Sequence, residues 1–234
     1  MEGGFDAWEK AGAPVQRLNL QHDADARAQK ANAALAKNNH TDRLAKQIGF
    51  ILEIDKLKQI WRQTPLLDNS RKENDAEHSW QLAMMAVVLF EYAPPGTDML
   101  RVLKMGLLHD IVEIDAGDSP AYTGVQKTDQ HAAEALAADR LFGLLPLELA
   151  QEFRALWDEF EAVETADALF ARAMDRLQPF LHNYFTNGDM WIKHRIHADQ
   201  VRERMAVVGK SSPELHTLIQ NLIEDSVRQG FLLA

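Results

Sequence analysis

Met105-Gly-Leu-Leu-His-Asp-Ile-Val-Glu-Ile-Asp-Ala-Gly-Asp-Ser-Pro120 begins as the apolar end of a helix and leaves it through Glu113, Asp115 and Asp118, with Gly117 and Pro120 closing the run. Its first half delivers His109 and Asp110 side by side, about 100° apart around a helix axis. Glu113 follows one turn after His109, at i+4, and so projects over the same face. An apolar helix tolerates this many carboxylates at its end only where positive charge stands among them. Imidazole plus carboxylate is a donor set for a metal ion, which would supply that charge. The stretch predicts a metal centre, and the rest of the chain reads as its housing.

Upstream, Leu44, Ile48, Ile51, Leu52, Ile54, Leu57, Ile60 and Trp61 recur at helical spacing after a possible N-cap at Thr41 or Asp42, and Pro65 is expected to close this helix. A polar loop over 67–75 leads to a second helix over 76–92, ended by Pro94-Pro95-Gly96, and a third over about 98–112 carries the opening stretch. The loop 114–128 holds Gly117, Pro120 and Gly124. Further helices are expected near 129–142, 146–160, 164–185, 197–208 and 212–229. No run of alternating β-branched residues argues for a strand. The pattern predicts an all-α fold, with a domain over 41–234. Residues 1–40, broken by glycines and then alanine-rich without a clear apolar stripe, read as an N-terminal extension.

The chain has 234 residues, 46% of them hydrophobic, enough for a sizeable core. Without cysteine there is no disulfide, thiolate nucleophile or cysteine-ligated zinc. A net charge of −10 repels polymeric nucleic acid and anionic membranes, whereas a small anionic substrate needs only one local cation. No stretch approaches the ~20 apolar residues of a membrane span, and the N-terminus lacks the order of a signal peptide. A cytoplasmic protein is expected.

Two further residues suit the centre. His78, in Ala76-Glu-His-Ser-Trp80, opens the second helix, which could pack on the third through Leu82, Met85, Val88 and Leu89. Asp175, in Ala173-Met-Asp-Arg-Leu-Gln-Pro179, has apolar flanks and precedes a proline. His22, His40, His131, His194, His197 and His216 lie in polar surroundings and read as solvated, while His182 reads as a hydrogen-bonded core residue. Trp61, Trp80 and Trp157 lie on apolar faces and are expected in the core.

Taken in order, Glu77-His78, His109-Asp110-x-x-Glu113, Gly117-Asp118-x-Pro120 and Asp175-Arg-Leu resemble the HD-domain metal-dependent phosphohydrolases, and among them the 5′-deoxynucleotidase-like branch, over roughly residues 43–185. Arg71-Lys-Glu-Asn-Asp-Ala-Glu-His78 is similar to the stretch before the first ligand of that branch. The resemblance implies an HD-domain helical bundle and one divalent ion (Mn, Co, Fe, Zn or Mg) on His78, His109, Asp110 and Asp175. It implies Glu113 and Asp118 as catalytic acids, and a homodimer, for which the apolar C-terminal residues Leu215, Leu218, Ile219, Leu222, Ile223, Phe231 and Leu232 offer either a face or simply more core. The branch carries an Arg-Trp pair for phosphate and base on the loop after its first helix. Gln63-Thr64 stands there in this chain, with Trp61-Arg62 just before. Arg62 and Arg71 are the candidates for phosphate, against the alternative of ion pairs to Glu73, Asp75 or Glu77.

The function implied is removal of phosphate from (deoxy)nucleoside 5′-monophosphates by metal-activated water. The alternatives are another nucleotide phosphoester (a triphosphate, cyclic nucleotide or alarmone) and a metal-stabilised module that binds nucleotide without turnover.

Overall fold

The structure, a computed structural model, describes Ala33, residues 42–118 and residues 127–234. The extension expected over 1–40, Ala33 apart, lies outside the described residues, as do Thr41, Pro120 and Gly124. Helix α1 (Asp42–Ile54) runs into a 3-10 turn at Asp55–Gln59. Strands β1 (Trp61–Pro65) and β2 (Lys72–Asn74) pair antiparallel. Next come α2 (Asp75–Val88), α3 (Met99–Leu108), a 3-10 turn at His109–Val112 and α4 (Glu113–Ala116). The chain continues through α5 (Lys127–Phe142), α6 (Leu147–Ala162), α7 (Ala166–Phe185), α8 (Asp189–Lys193), α9 (Ala198–Ser211) and α10 (Pro213–Arg228). The fold is mostly helical, as expected, with one small ribbon that was not.

That ribbon corrects the expected helix through Ile60 and Trp61. Pro65 disfavours helical backbone at Thr64, and the chain is already extended at Ile60 (φ −88°, ψ 120°). It reverses where Leu66 N–H donates to Arg71 O (2.9 Å), with Asn69 in left-handed backbone (φ 56°) and the Asp68 carboxylate accepting from Ser70 N–H (3.0 Å). Side chains alternate along a strand, so Trp61 points out and Arg62 points in. Trp61, expected in the core, is 51% exposed. Trp80 is likewise 65% exposed, because it lies about 200° around α2 from the inward-facing His78. On α1 only one edge reaches the core, through Phe50 and Ile54; Leu44, Ile51 and Leu52 stay exposed.

Helix α7 is the spine. It packs against α2, α3, α6, α9 and β1, and buries Phe170, Ala171, Met174 and Leu177. Burying a side chain the size of Phe, Met or Leu contributes about 1.5–3 kcal/mol. Thr165 caps α7 by accepting from Ala168 N–H (3.1 Å), and the helix continues unbroken through Pro179. Helices α2 and α3 meet so closely that a Cβ on Gly106 would stand 2.4 Å from Leu82 Cδ2. Leu215, Ile219, Ile223 and Leu232 are buried within this chain and Leu222 and Phe231 pack beside them, so the C-terminal residues complete the core; Leu218 alone of that group is exposed. Trp157 is buried as expected.

Candidate metal centre

Local sequence aims three helices at one point. Asn74 starts α2 with a reciprocal cap: its side chain accepts from Glu77 N–H (3.0 Å), and the Glu77 carboxylate accepts from Asn74 N–H (3.2 Å). This fixes the first turn and turns His78 fully inward. Asp98 caps α3 by accepting from Leu100 N–H (2.8 Å) and Arg101 N–H (3.3 Å). At the other end of α3, His109 Nδ1–H donates back to Gly106 O (2.9 Å), and the backbone tightens from α to 3-10 geometry. In a 3-10 turn side chains at i and i+3 eclipse, so Glu113 stands over Asp110 rather than over His109, as straight α-helical spacing had suggested. Helix α7 supplies Asp175, also buried.

The donor atoms converge. His78 Nε2 lies 3.3 Å from Asp175 Oδ1 and 3.8 Å from Asp110 Oδ2. His109 Nε2 lies 3.0 Å from Asp110 Oδ1 and 3.7 Å from Asp175 Oδ1. Ligands held about 2.1 Å from one ion stand roughly 3.0–4.2 Å from each other, and these four histidine–carboxylate separations fall in that span, with Asp110 facing the two rings through different oxygens. The tautomers agree. Carbonyl oxygens take the Nδ1 protons of both rings, Gly106 O for His109 and Gln178 Oε1 for His78 (3.0 Å), which leaves both Nε2 atoms bare and facing carboxylates. His109 Nε2 is buried without a hydrogen-bond partner. Two imidazole nitrogens facing two carboxylates make a donor set that fits a divalent metal, with His78, His109 and Asp110 grouped most closely.

The electrostatics agree with that fit. Burial works against charge on His109, yet the Asp110 and Asp175 carboxylates push its pKa up to about 10. Burial lowers His78, and the Arg62 charge adds to this. Burial would raise Asp110, but His109 and Arg62 hold it below the usual carboxylate range, and Asp175 is held down against burial by Arg176, His109 and His78. Around Arg62 the acids crowd: its Nη1 lies 2.9 Å from Asp110 Oδ2 and 3.3 Å from Asp75 Oδ1, and its Nε 3.3 Å from Glu73 Oε1. Burial opposes the guanidinium charge, but Asp110, Glu113, Asp175 and Asp75 outweigh it and raise the pKa. Burial and the Asp110 charge raise both Glu113 and Asp75, with Glu113 raised the further. Asp118, just after Gly117 (φ 76°), is raised by burial against the pull of Arg62.

Thus His78, His109, Asp110, Asp175, Arg62 and Glu113 come together, with Asp118 within electrostatic reach. Arg71 does not join them. It is exposed, grips Glu77 with two hydrogen bonds (2.6 and 2.8 Å) and lies 5.9 Å over the Trp61 ring. Asp115 pairs with Arg140. His131, His194, His197 and His216 are exposed, while His22 and His40 lie outside the described residues. His182 is buried and donates from Nδ1 to Pro65 O (2.9 Å). Sequence reasoning gave no place in the centre to Asp75 or Gln178. Their signal was spacing: Asp75 precedes His78 by one helical turn, and Gln178 follows Asp175 by one.

In a mostly helical fold, two histidines and two aspartates from the start of α2, the turn after α3 and the middle of α7 thus form one candidate donor set for a metal ion. The chain matches the HD domain family over residues 54–216, and it belongs to that family. It is 29% identical over 133 residues to human 5'-deoxynucleotidase HDDC2, a match covering 56% of this chain and 64% of that protein's length. It is 28% identical over 198 residues to 5'-deoxynucleotidase YfbR of Shigella flexneri serotype 5b, covering 77% of this chain and 98% of the relative. The crystal structure of a "predicted metal-dependent phosphohydrolase" from Magnetospirillum magnetotacticum MS-1 superposes with a TM-score of 0.79 at 49% identity, over 82% of this chain and 96% of that one. Among the described residues no helix is long and apolar enough to cross a membrane.

Proposed function

We propose that the chain is a metal-dependent 5′-nucleotidase that removes phosphate from (deoxy)nucleoside monophosphates, with His78, His109, Asp110 and Asp175 as metal ligands. The observation that carries this reading is the guanidinium of Arg62 set among the ligands, 2.9 Å from Asp110. A cation fixed beside an ion site on an otherwise acidic protein suits a phosphate dianion. The names of the relatives support the nucleotide. A divalent ion there supplies a Lewis acid for phosphate and for water. Arg62 binds the phosphate oxygens. Glu113, whose carboxyl is pushed up by burial and by the Asp110 and Asp75 charges, gives a proton to the departing sugar oxygen. Asp118 accepts from a sugar hydroxyl or a water. We take Arg62, not Arg71, as the phosphate contact.

The same reading takes residues 41–234 as one catalytic domain working in the cytoplasm, as a homodimer. The dimer is supported by an apolar stripe left exposed on α2, Trp80, Met84, Val87 and Val88. Light scattering on the purified chain tests it, and a monomer at micromolar concentration would refute it.

The decisive experiment is phosphate release from each nucleoside monophosphate in the presence of Mn²⁺, Co²⁺, Mg²⁺, Zn²⁺ or Fe²⁺. Release from a monophosphate, abolished by chelator and restored by one of these ions, is the expected result. No release from any of them sinks the proposal. Release only from a triphosphate or cyclic nucleotide would move the chain to another branch of the same chemistry.

A further inference from the structure

We infer that Gln178 is a positioning residue for the metal centre: its side-chain amide locks His78 in the tautomer and orientation that present Nε2 to the ion, and ties that histidine to the β-ribbon through Glu73. The inference rests on His78 being a metal ligand.

Gln178 sits one turn after Asp175 on α7 and is fully buried. Its two ends do different work. Oε1 accepts from His78 Nδ1–H at 3.0 Å. Nε2 donates to Glu73 Oε2 at 2.8 Å and faces Gln81 Oε1 at 2.9 Å and His182 Nε2 at 3.1 Å. The Glu73 carboxylate, with Gln81 Oε1 beside it, takes the amide N–H groups and so turns Oε1 toward His78, whose Nδ1 must carry a proton to bond it. A neutral imidazole whose Nδ1 carries the proton must offer its lone pair at Nε2, the edge that faces Asp175 and Asp110.

The far end of the amide is anchored as firmly. Glu73 is buried on β2 and its other oxygen lies 3.3 Å from Arg62 Nε. His182, one further turn along α7, donates to Pro65 O on β1, and its Nε2 lies 3.1 Å from Gln81 Oε1. Gln178 therefore stands where the ribbon, α2 and α7 meet, one side chain from the ligand His78 and two from Arg62. Hydrogen-bond partners of ligating histidines fix ring orientation, and their loss typically weakens metal binding about 10–100-fold.

The test measures Mn²⁺ affinity of the full chain by competition with a chelator, together with the ¹⁵N imidazole signals of His78 in protein stripped of metal. Gln178→Met keeps the volume and removes the acceptor. It should weaken Mn²⁺ binding by about tenfold or more and let the Nε2–H tautomer of His78 appear, whereas wild type shows Nδ1–H alone. Gln81→Met, which disturbs the same polar cluster without touching His78, should leave Mn²⁺ affinity and tautomer unchanged. Should Gln178→Met fail to fold, Gln178→Asn, which withdraws the amide by one methylene, takes its place with the same expected loss. Wild-type affinity in the folded Gln178 variant, or an equal loss in Gln81→Met, overturns the inference. The metal assignment fails separately, if wild type and His78→Ala bind Mn²⁺ equally.

Discussion

Arg62 and Arg71 share a residue type and a stretch of chain, yet their surroundings give them different work. Arg71 is an exposed ion pair that braces the first turn of α2, where solvent and salt screen its charge. Arg62 is nearly buried, with Glu73, Asp75 and Asp110 at ion-pair distance, where its charge is held by the site and not by solvent. Arg62→Ala should therefore lower kcat/KM for a nucleoside monophosphate by about 10²-fold or more, while Arg71→Ala leaves it nearly unchanged. Equal losses in the two variants would mean the phosphate binds elsewhere. Glu113→Gln tests the proton donor: it should abolish turnover while Mn²⁺ affinity stays at the wild-type value, and lost Mn²⁺ binding would make Glu113 a ligand instead. Residue order pointed to His109-Asp110 and to the remote His78 and Asp175 as candidates, and the structure brings these four side chains together. Residue order could not show which arginine enters the centre. That choice turns on period-2 alternation in a ribbon too short, and too polar at Gln63 and Thr64, to be recognised as a strand.

At the scale of elements, the approach of α2 to α3 sets the separation of His78 from His109, and Gly106 permits it. Placing a methyl 2.4 Å from Leu82 Cδ2 forces the helices apart. Gly106→Ala should cost about 1–3 kcal/mol in denaturant unfolding and weaken metal binding, since both candidate ligands are carried by the displaced helices. A variant as stable as wild type would show that Leu82 simply rotates away. A second tie, on the surface, has a pH signature. Glu53 at the end of α1 pairs with Lys56 (2.9 Å) and with Arg140 of α5 (3.0 Å). Burial would raise its pKa, but the two cations outweigh burial and lower it. A carboxyl lowered on folding stabilises the native state above its unfolded pKa and loses that contribution as pH falls through the folded value. Glu53→Gln should thus cost up to about 1 kcal/mol at pH 7, a deficit that shrinks as pH falls through the folded value. A deficit that persists in acid would assign the effect to packing. Helix existence and order were legible from periodicity and from prolines. The break of α3 into a 3-10 turn at His109 was not, since it comes from a side chain bonding back to Gly106 O, which no hydrophobic pattern encodes.

Across the whole molecule, the candidate ligands come from three places distant in sequence: the start of α2, the end of α3 and the middle of α7. An ion held by all three fastens the helices that build most of the core around α7. Such a donor set scarcely exists in the unfolded chain, so binding free energy becomes folding free energy. At a free Mn²⁺ concentration 100 times its dissociation constant the gain is about 2.7 kcal/mol, which for a chain of this size raises Tm by roughly 5–10 °C. Chelator should return Tm to its starting value. His78→Ala and Asp175→Ala should each abolish the rise, because each removes one of the joined elements from the centre, whereas Arg71→Ala should keep it in full. A rise of the same size in the His78→Ala and Asp175→Ala chains would place the ion elsewhere on this acidic surface, away from the point where α2, α3 and α7 meet.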